Sequence, residues 1–271
     1  MRSTLAGRPL VFRDDPYSQR VRCDHPQVSD GALLGERLLG EAEERGRPRV
    51  VVLAAARLAE GLTSAGLWEE ARMPGYYRGE EDCVVLGGAP HGAIGLADPE
   101  GVARVDALLP GYPVDGSAPD LVSLRAAPEH APLVAALVAE AFRYYPTPTG
   151  DPAYVRDQVE AGVPFRLLMD GGQPVAVASA DLDRAALTAE ITDCVVLPSH
   201  RRQGLMRALI RDLMGDLRGM DYPTAFTLAR AVVPGINLAF RGMGFAYRGR
   251  MLRSCRIGDG LEDMNVWSRR L

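Results

Sequence analysis

The stretch LPSHRRQGLMRALI at residues 197–210 narrows the possible folds more than any other part of the chain. It follows AEITDCVVLP, which is rich in β-branched residues, and it runs straight into an apolar helical pattern. A strand therefore feeds a basic, glycine-containing turn at a helix N-terminus. Such a terminus carries unpaired backbone N–H groups and a partial positive charge, which suits a phosphate. Gly204 lets the backbone come close, and Arg201 and Arg202 add charged donors. The turn lacks the Gly-Lys-Ser/Thr of a P-loop and the GxGxxG of a dinucleotide turn. A pyrophosphate is the ligand the pattern fits.

Around this stretch, residues 121–271 read as β-α-α-β-β-β-α-β-α-β-β, with a helix over PEHAPLVAALVAEAFRYYP and an Asp-Gly-Gly hairpin near residue 171. Residues 19–88 read as β-α-β-α-β-β. Residues 89–120 are dense in Gly, Pro and Asp and read as a linker with room for one short helix. Residues 1–18 read as a loose polar leader. A weak internal repeat aligns VVVLAA…GLTSAGLWEEARMPGYYRGEEDCVVLG with AFTLARA…AFRGMGFAYRGRMLRSCRIGDGLEDMNVWS, matching Gly66-Leu67 to Gly244-Phe245.

With 271 residues, 47% of them hydrophobic, the chain has enough apolar material for a packed core. A formal net charge of -4 gives no broad footprint for a nucleic-acid partner. Every basic residue is arginine. Cys23, Cys83, Cys194 and Cys255 form no CxxC pair, and the four histidines form no ligand-like spacing, so no metal site is expected. The first residues hold no long apolar run, which argues for a cytoplasmic protein with no membrane partner.

The Arg201–Met206 stretch, on the pattern R-x-x-G-x-[G/A] after a strand and opening a helix, resembles the acetyl-CoA pyrophosphate loop of GNAT-type N-acetyltransferases, with Met206 departing from the usual small residue. AEITDCVVLPSHRRQGL, LARAVVPGINLAFRGMGF and EDMNVW, with YYPTPTGDPAYV and MPGYYRGEED upstream, are similar to the β-lysine N6-acetyltransferase family from about residue 20 onward. The resemblance implies an α/β GNAT fold with a mixed twisted sheet, preceded by a smaller α/β half like a degenerate GNAT half. It also implies acetyl transfer from acetyl-CoA to the ε-amine of β-lysine, giving a compatible solute. Another small primary amine, or a non-catalytic acyl-CoA-binding module, are the alternative readings.

Removing a proton from an alkyl ammonium, whose pKa is about 10.4, needs a base. Glu190 is the first candidate and Asp193 the second. A regular strand would place them on opposite faces, and a bulge would bring them together. On the resemblance, Val195, Val196 and Leu197 offer backbone to the pantetheine arm. Arg201, Arg202, Gln203, Gly204, Leu205, Met206 and Arg207 hold the pyrophosphate, and Asn237 reaches the cofactor. Arg230 is placed for the acceptor carboxylate, Tyr144 and Tyr145 for the acceptor pocket within a helical hairpin, and Asn265, Glu81 and Asp82 for an ammonium. Phe240 stands where such enzymes often carry a proton-donating tyrosine. Tyr247, Tyr145 or solvent are then open for that role. The N-terminal half either completes the acceptor cleft or builds a homodimer.

Overall fold

The computed structural model describes residues 2–5, 8–142 and 144–271. The C-terminal part contains β8 (Leu124–Arg125), α4 (Ala131–Ala141), α5 (Pro152–Glu160), β9 (Phe165–Asp170), β10 (Gln173–Asp183), β11 (Thr188–Val196), α6 (Leu205–Gly219), β12 (Thr224–Arg230), α7 (Pro234–Gly242), β13 (Ala246–Ile257) and β14 (Gly260–Arg270). Asp151 caps α5 by accepting the N–H of Ala153 at 2.9 Å, just ahead of Pro152 at the first helical position. The N-terminal part contains β1 (Arg2–Leu5), β2 (Arg8–Val11), β3 (Arg13–Asp15), β4 (Arg20–Asp24), α1 (Gly31–Glu44), β5 (Arg49–Ala55), α2 (Ala59–Ser64), β6 (Trp68–Tyr77) and β7 (Glu81–Gly88). Between the two parts lies α3 (Pro99–Leu108).

Twelve strands join in one mixed sheet, in the order β3-β4-β5-β7-β6-β13-β14-β12-β11-β10-β9-β8. The repeat read from the sequence is also a repeat of topology. β11 and β12 run parallel with α6 between them, and β12 then pairs antiparallel with β14, and β14 with β13. β4, β5, β7 and β6 follow the same order and directions, with α1 in the place of α6. The two sets meet where Gly249 of β13 pairs antiparallel with Ala71 of β6.

Period-2 patterning divides the core between the faces of this sheet. On one face α6 and α7 bury Ala189, Ile191, Ala225 and Trp267, while α1 and α2 bury Val21, Val50, Val52 and Val84. The other face is shared between the halves: Val51, Met73, Tyr76 and Val85 pack with Phe226, Met251, Met264 and Val266. There the Tyr76 ring lies 5.3 Å from the Phe226 ring, and α4 and α5 cover the neighbouring strands. This shared face is the inner face of the sheet.

Three expectations are corrected. The leader is not loose. β1 and β2 form a hairpin, β3 joins the main sheet, and Leu5, Leu10 and Phe12 are buried with the core of α1. Those apolar residues are too few to form a periodic pattern, but they cover an otherwise open face. The stretch expected to link the halves is also pinned down. Val105 and Leu109 are buried beneath α7, Arg241 Nε donates to Tyr112 O at 3.1 Å, and Arg211 Nη1 donates to Pro119 O at 2.8 Å. Lastly, Tyr144 and Tyr145 lie beyond the end of α4, in the loop before α5, rather than in a helix.

The turn before α1 holds no counterpart of the basic loop. Asp30 caps α1 there, its carboxylate accepting the Leu33 N–H at 3.0 Å.

Candidate active site

β11 pairs with β12 from Thr188 to Glu190, opposite Thr224 to Phe226, and beyond that point the two strands part. β10 keeps its grip on the far edge of β11 as far as Val196. A gap thus opens in the sheet beside residues 191–197. The Leu197 N–H goes to Val175 O at 2.9 Å, so strand alternation turns the peptide groups of Val196, rather than those of Val195 and Leu197, into the gap. Arg201 Nε bonds the Val196 carbonyl at 3.3 Å.

The chain then turns through residues 198–204 into α6. Arg202 (φ 64°) and Gly204 (φ 74°) both adopt left-handed backbone. Among the described residues, nothing accepts the N–H groups of Arg202, Gln203, Gly204, Leu205 or Met206. Five consecutive free amides at a helix N-terminus, with αL residues between them, form an anion nest. An added Cβ on Gly204 would come within 2.7 Å of Pro119 Cγ, so only glycine fits the turn. The residues present therefore suit the diphosphate of a cofactor such as acetyl-CoA. Leu205 and Met206 contribute through their amides, since their side chains pack into the core. Arg207 does not belong to this set: its N–H bonds Gly204 O at 2.9 Å, and its guanidinium is held by Asp115 and Ser117.

Glu190 sits where β11 and β12 separate. It is paired with Phe226 on β12 and with Asp181 on β10, so it shares the inner face with both. Asp193 joins it there because of a bulge. Between two registered pairs, Val177↔Val195 and Ser179↔Thr192, β11 carries one residue more than β10, and Asp193 takes φ 49° to absorb it. The Asp193 carboxylate is buried and accepts from Ser179 Oγ at 2.6 Å and Thr149 Oγ1 at 3.0 Å, while the Thr147 hydroxyl lies 2.9 Å from Thr149 Oγ1 and the Tyr145 hydroxyl 3.5 Å from Thr192 Oγ1.

The two carboxylates differ in what surrounds them. Asp193 has one hydroxyl donor on each carboxylate oxygen. Glu190 receives no hydrogen bond from any described residue, and burial and the charge of Asp181, with help from Asp193 and Asp24, push it up to about 8 against the pull of Arg22. Burial and Asp193 push Asp181 up to about 6. A carboxylate with its proton affinity near neutrality and no donor satisfying it is the group suited to take a proton.

Sequence reasoning missed the contribution of the N-terminal half. Arg22 and Asp24 on β4 pair with Val51 and Leu53 of β5, which line the inner face, and so they turn toward Glu190. His25 Nε2 lies 3.4 Å from Asp183 at the end of β10, and its Nδ1 is 2.9 Å from the Tyr77 hydroxyl. The signal was the alternation of Arg20, Arg22 and Asp24 with buried Val21 and Cys23. A cleft of about 540 Å³ opens between residues 13–20 and the loop at residues 144–146, with Arg20, Tyr144 and Tyr145 in its walls.

Other candidates fall elsewhere. Asn237 is wholly buried and fully used: its amide donates to Arg230 O at 2.9 Å and Val233 O at 2.8 Å, and its oxygen accepts from Asn265 Nδ2 at 2.9 Å and Trp267 Nε1 at 3.0 Å. It fastens α7 to β12 and β14, which leaves none of its amide groups free for a cofactor. Asn265 is equally buried, and its oxygen accepts from Arg250 Nε at 2.7 Å, which excludes it from an ammonium site. Arg230 is on the inner face but gives Nη2 to Glu262 at 2.6 Å. Glu81 is paired with Arg57 at 2.9 Å, and Asp82 accepts the Gly75 N–H at 3.0 Å. Phe240 is buried edge-on against Phe245, and Tyr247 packs on Trp267, on the α6/α7 side of the sheet. Among the described residues no group of His, Cys, Asp and Glu is placed to hold a metal ion, and no helix is long and apolar enough to cross a membrane.

The family model described as acetyltransferase (GNAT) matches residues 133–245, from α4 to the start of β13. A β-lysine N6-acetyltransferase of Methanosarcina mazei is 42% identical over 138 residues, 51% of each chain. That of Methanococcus maripaludis is 30% identical over 48% of this chain and 47% of its own. The match thus spans about half the length of these two relatives. The N-acetyltransferase YodP of Bacillus subtilis is 29% identical over 98% of both chains. Residues 133–245 are an acetyltransferase domain of the GNAT type, and the chain that carries them resembles the β-lysine N6-acetyltransferase family.

Proposed function

We propose that the protein is an acetyl-CoA-dependent N-acetyltransferase that acts on the ε-amine of β-lysine, with Glu190 as the general base. The observation that carries this is the position of Glu190, an unbonded carboxylate pushed up to about 8 on the inner face where β11 and β12 part, one strand end away from the anion nest. Acetyl-CoA, when bound, supplies a thioester whose carbonyl carbon is attacked by an amine and whose thiolate leaves. Arg202 to Met206 hold the diphosphate through their amides, and Val196 offers its peptide groups to the arm lying in the gap.

The acceptor enters as an ammonium. Glu190, Asp181 and Asp193 make its surroundings acidic, which favours a cationic substrate over a neutral one. Glu190 takes the proton, directly or through a water, and the freed nitrogen becomes the nucleophile. Asp193, bonded by two hydroxyls, fixes the bulge and raises the proton affinity of Glu190 by its charge. No tyrosine is assigned to protonate the leaving thiolate, since Phe240 and Tyr247 belong to the other face and the Tyr145 hydroxyl lies against Thr192 Oγ1 at 3.5 Å. The product, Nε-acetyl-β-lysine, serves as a compatible solute in the cytoplasm on this reading.

Release of free thiol from acetyl-CoA, measured separately with β-lysine, α-lysine, ornithine and spermidine, tests the proposal. Preference for β-lysine with acetate on its ε-amine is expected. Turnover on another amine alone would remove the compatible-solute role, and acetyl-CoA binding without turnover on any acceptor would leave a binding module.

A further inference from the structure

Arg22 belongs to the N-terminal half, yet it faces the reacting carboxylate of the C-terminal half. Its neighbour in register is Val51, which packs in the cluster that also contains Phe226, and Phe226 is the registered partner of Glu190. Its Nε donates to both oxygens of Asp24, at 2.8 and 2.9 Å. The two terminal nitrogens have no hydrogen-bond partner among the described residues, although the side chain is only 17% exposed. A guanidinium with its far edge free presents two parallel N–H donors, the geometry that a carboxylate matches. Arg20, next on the same face, is already engaged by Asp15 and by Ser254. Arg230 also faces inward, but one of its two terminal nitrogens is given to Glu262, and it sits four residues past Phe226, about 13 Å along the strand.

We infer that Arg22 receives the carboxylate of the acceptor, so that the substrate class is a diamino acid rather than a simple diamine or polyamine. The inference rests on acetyl transfer at Glu190. Arg22 holds the acid end, and Asp24 beside it is placed to take the second ammonium, while the amine to be acetylated points to Glu190. The N-terminal half then sets which amine is accepted, and the C-terminal half holds the acetyl donor.

The test uses the full chain and its Arg22→Gln and Arg230→Gln variants. Two acceptors are compared, β-lysine and a diamine of the same length lacking the carboxylate. The ratio of kcat/KM for β-lysine over the diamine is expected to fall at least about 10-fold in Arg22→Gln, mostly through KM, with partial recovery in Arg22→Lys and little change in Arg230→Gln. An unchanged ratio in Arg22→Gln, or a fall confined to Arg230→Gln, overturns the assignment. Calorimetric binding of β-lysine in the presence of CoA separates this inference from the acetyl-transfer reading. If the parent binds β-lysine but turns nothing over, acetyl transfer fails while a tenfold weaker binding by Arg22→Gln still supports the carboxylate site. Equal binding by parent and variant, or none by the parent, overturns it.

Discussion

Gly249 of β13 stands opposite Ala71 of β6, and this registered pair joins the sheets of the two halves. Gly249 adopts φ 136°, and a Cβ there would overlap the carbonyl oxygen of Glu70. The seam is therefore backbone against backbone. Leu252 N donates to Glu70 Oε1 at 3.2 Å just beyond it, and Glu70 is itself paired with buried Arg49 at 2.5 Å.

Replacing Gly249 with valine is expected to lower stability by about 3 kcal/mol or more, because neither the strained φ nor the clash with a main-chain atom can relax locally. Urea unfolding measures this. A midpoint equal to that of the parent would show that the seam has room the structure does not.

Glu190→Gln removes the proposed base without changing its outline. A loss of about 10²- to 10⁴-fold in kcat is expected, with the affinity for acetyl-CoA nearly unchanged. In the parent, kcat/KM is expected to rise as pH passes through about 8, with loss of the proton from Glu190, and to level off above it. In the variant that limb is absent. A variant that keeps the limb assigns the base elsewhere.

The same group makes a prediction for folding. Its carboxyl has an ordinary value of 4.5 and is raised to about 8 in the fold. The folded chain thus binds more protons than the unfolded chain across that window. The stability from this protonated carboxyl is complete below 4.5 and is lost as pH rises through about 8. Thermal unfolding at pH 6 and pH 9 should show a smaller drop for Glu190→Gln than for the parent. Parallel curves would mean that Glu190 is not held protonated.

Asp193→Ala leaves the hydroxyls of Ser179 and Thr149 without their buried acceptor. A stability loss of about 1–3 kcal/mol is expected. Activity should fall less than in Glu190→Gln once the folded fraction is taken into account. Circular dichroism and thiol release on the same samples separate the two effects, and an equal activity loss without a stability change would give Asp193 the proton-transfer role instead.

Gly204→Val brings side-chain atoms against Pro119 and forces φ 74° on a β-branched residue. Acetyl-CoA should bind at least about 10-fold more weakly, because the free amides of the nest lose their alignment. Calorimetry reads this directly, and unchanged affinity would place the diphosphate elsewhere.

The features legible in the sequence were local ones. The strand, the Arg201–Gly204 turn and the start of α6 follow one another in the chain, so their chemistry could be read in order. The bulge that aligns Asp193 with Glu190 was foreseen as an option, but choosing it needed the register against β10. Asn237 was read as reaching the cofactor and Asn265 as holding an ammonium, because a polar residue in a matching motif resembles a ligand. Their real use, on each other and on Trp267, depends on how α7 settles over β14. Arg22 was invisible for the converse reason: it is more than 160 residues from Glu190 and faces it only because the two halves share one sheet and its inner face.

Asp30 gives the topological repeat a stoichiometric consequence. The first turn of α1 already has a carboxylate of its own in the place where α6 leaves its amides free. The chain has the outline of a paired molecule but, among the described residues, one anion nest, which on the proposed function is the one seat for the acetyl donor. A titration with acetyl-CoA therefore saturates at one molecule per chain, and the two halves cannot turn over in alternation.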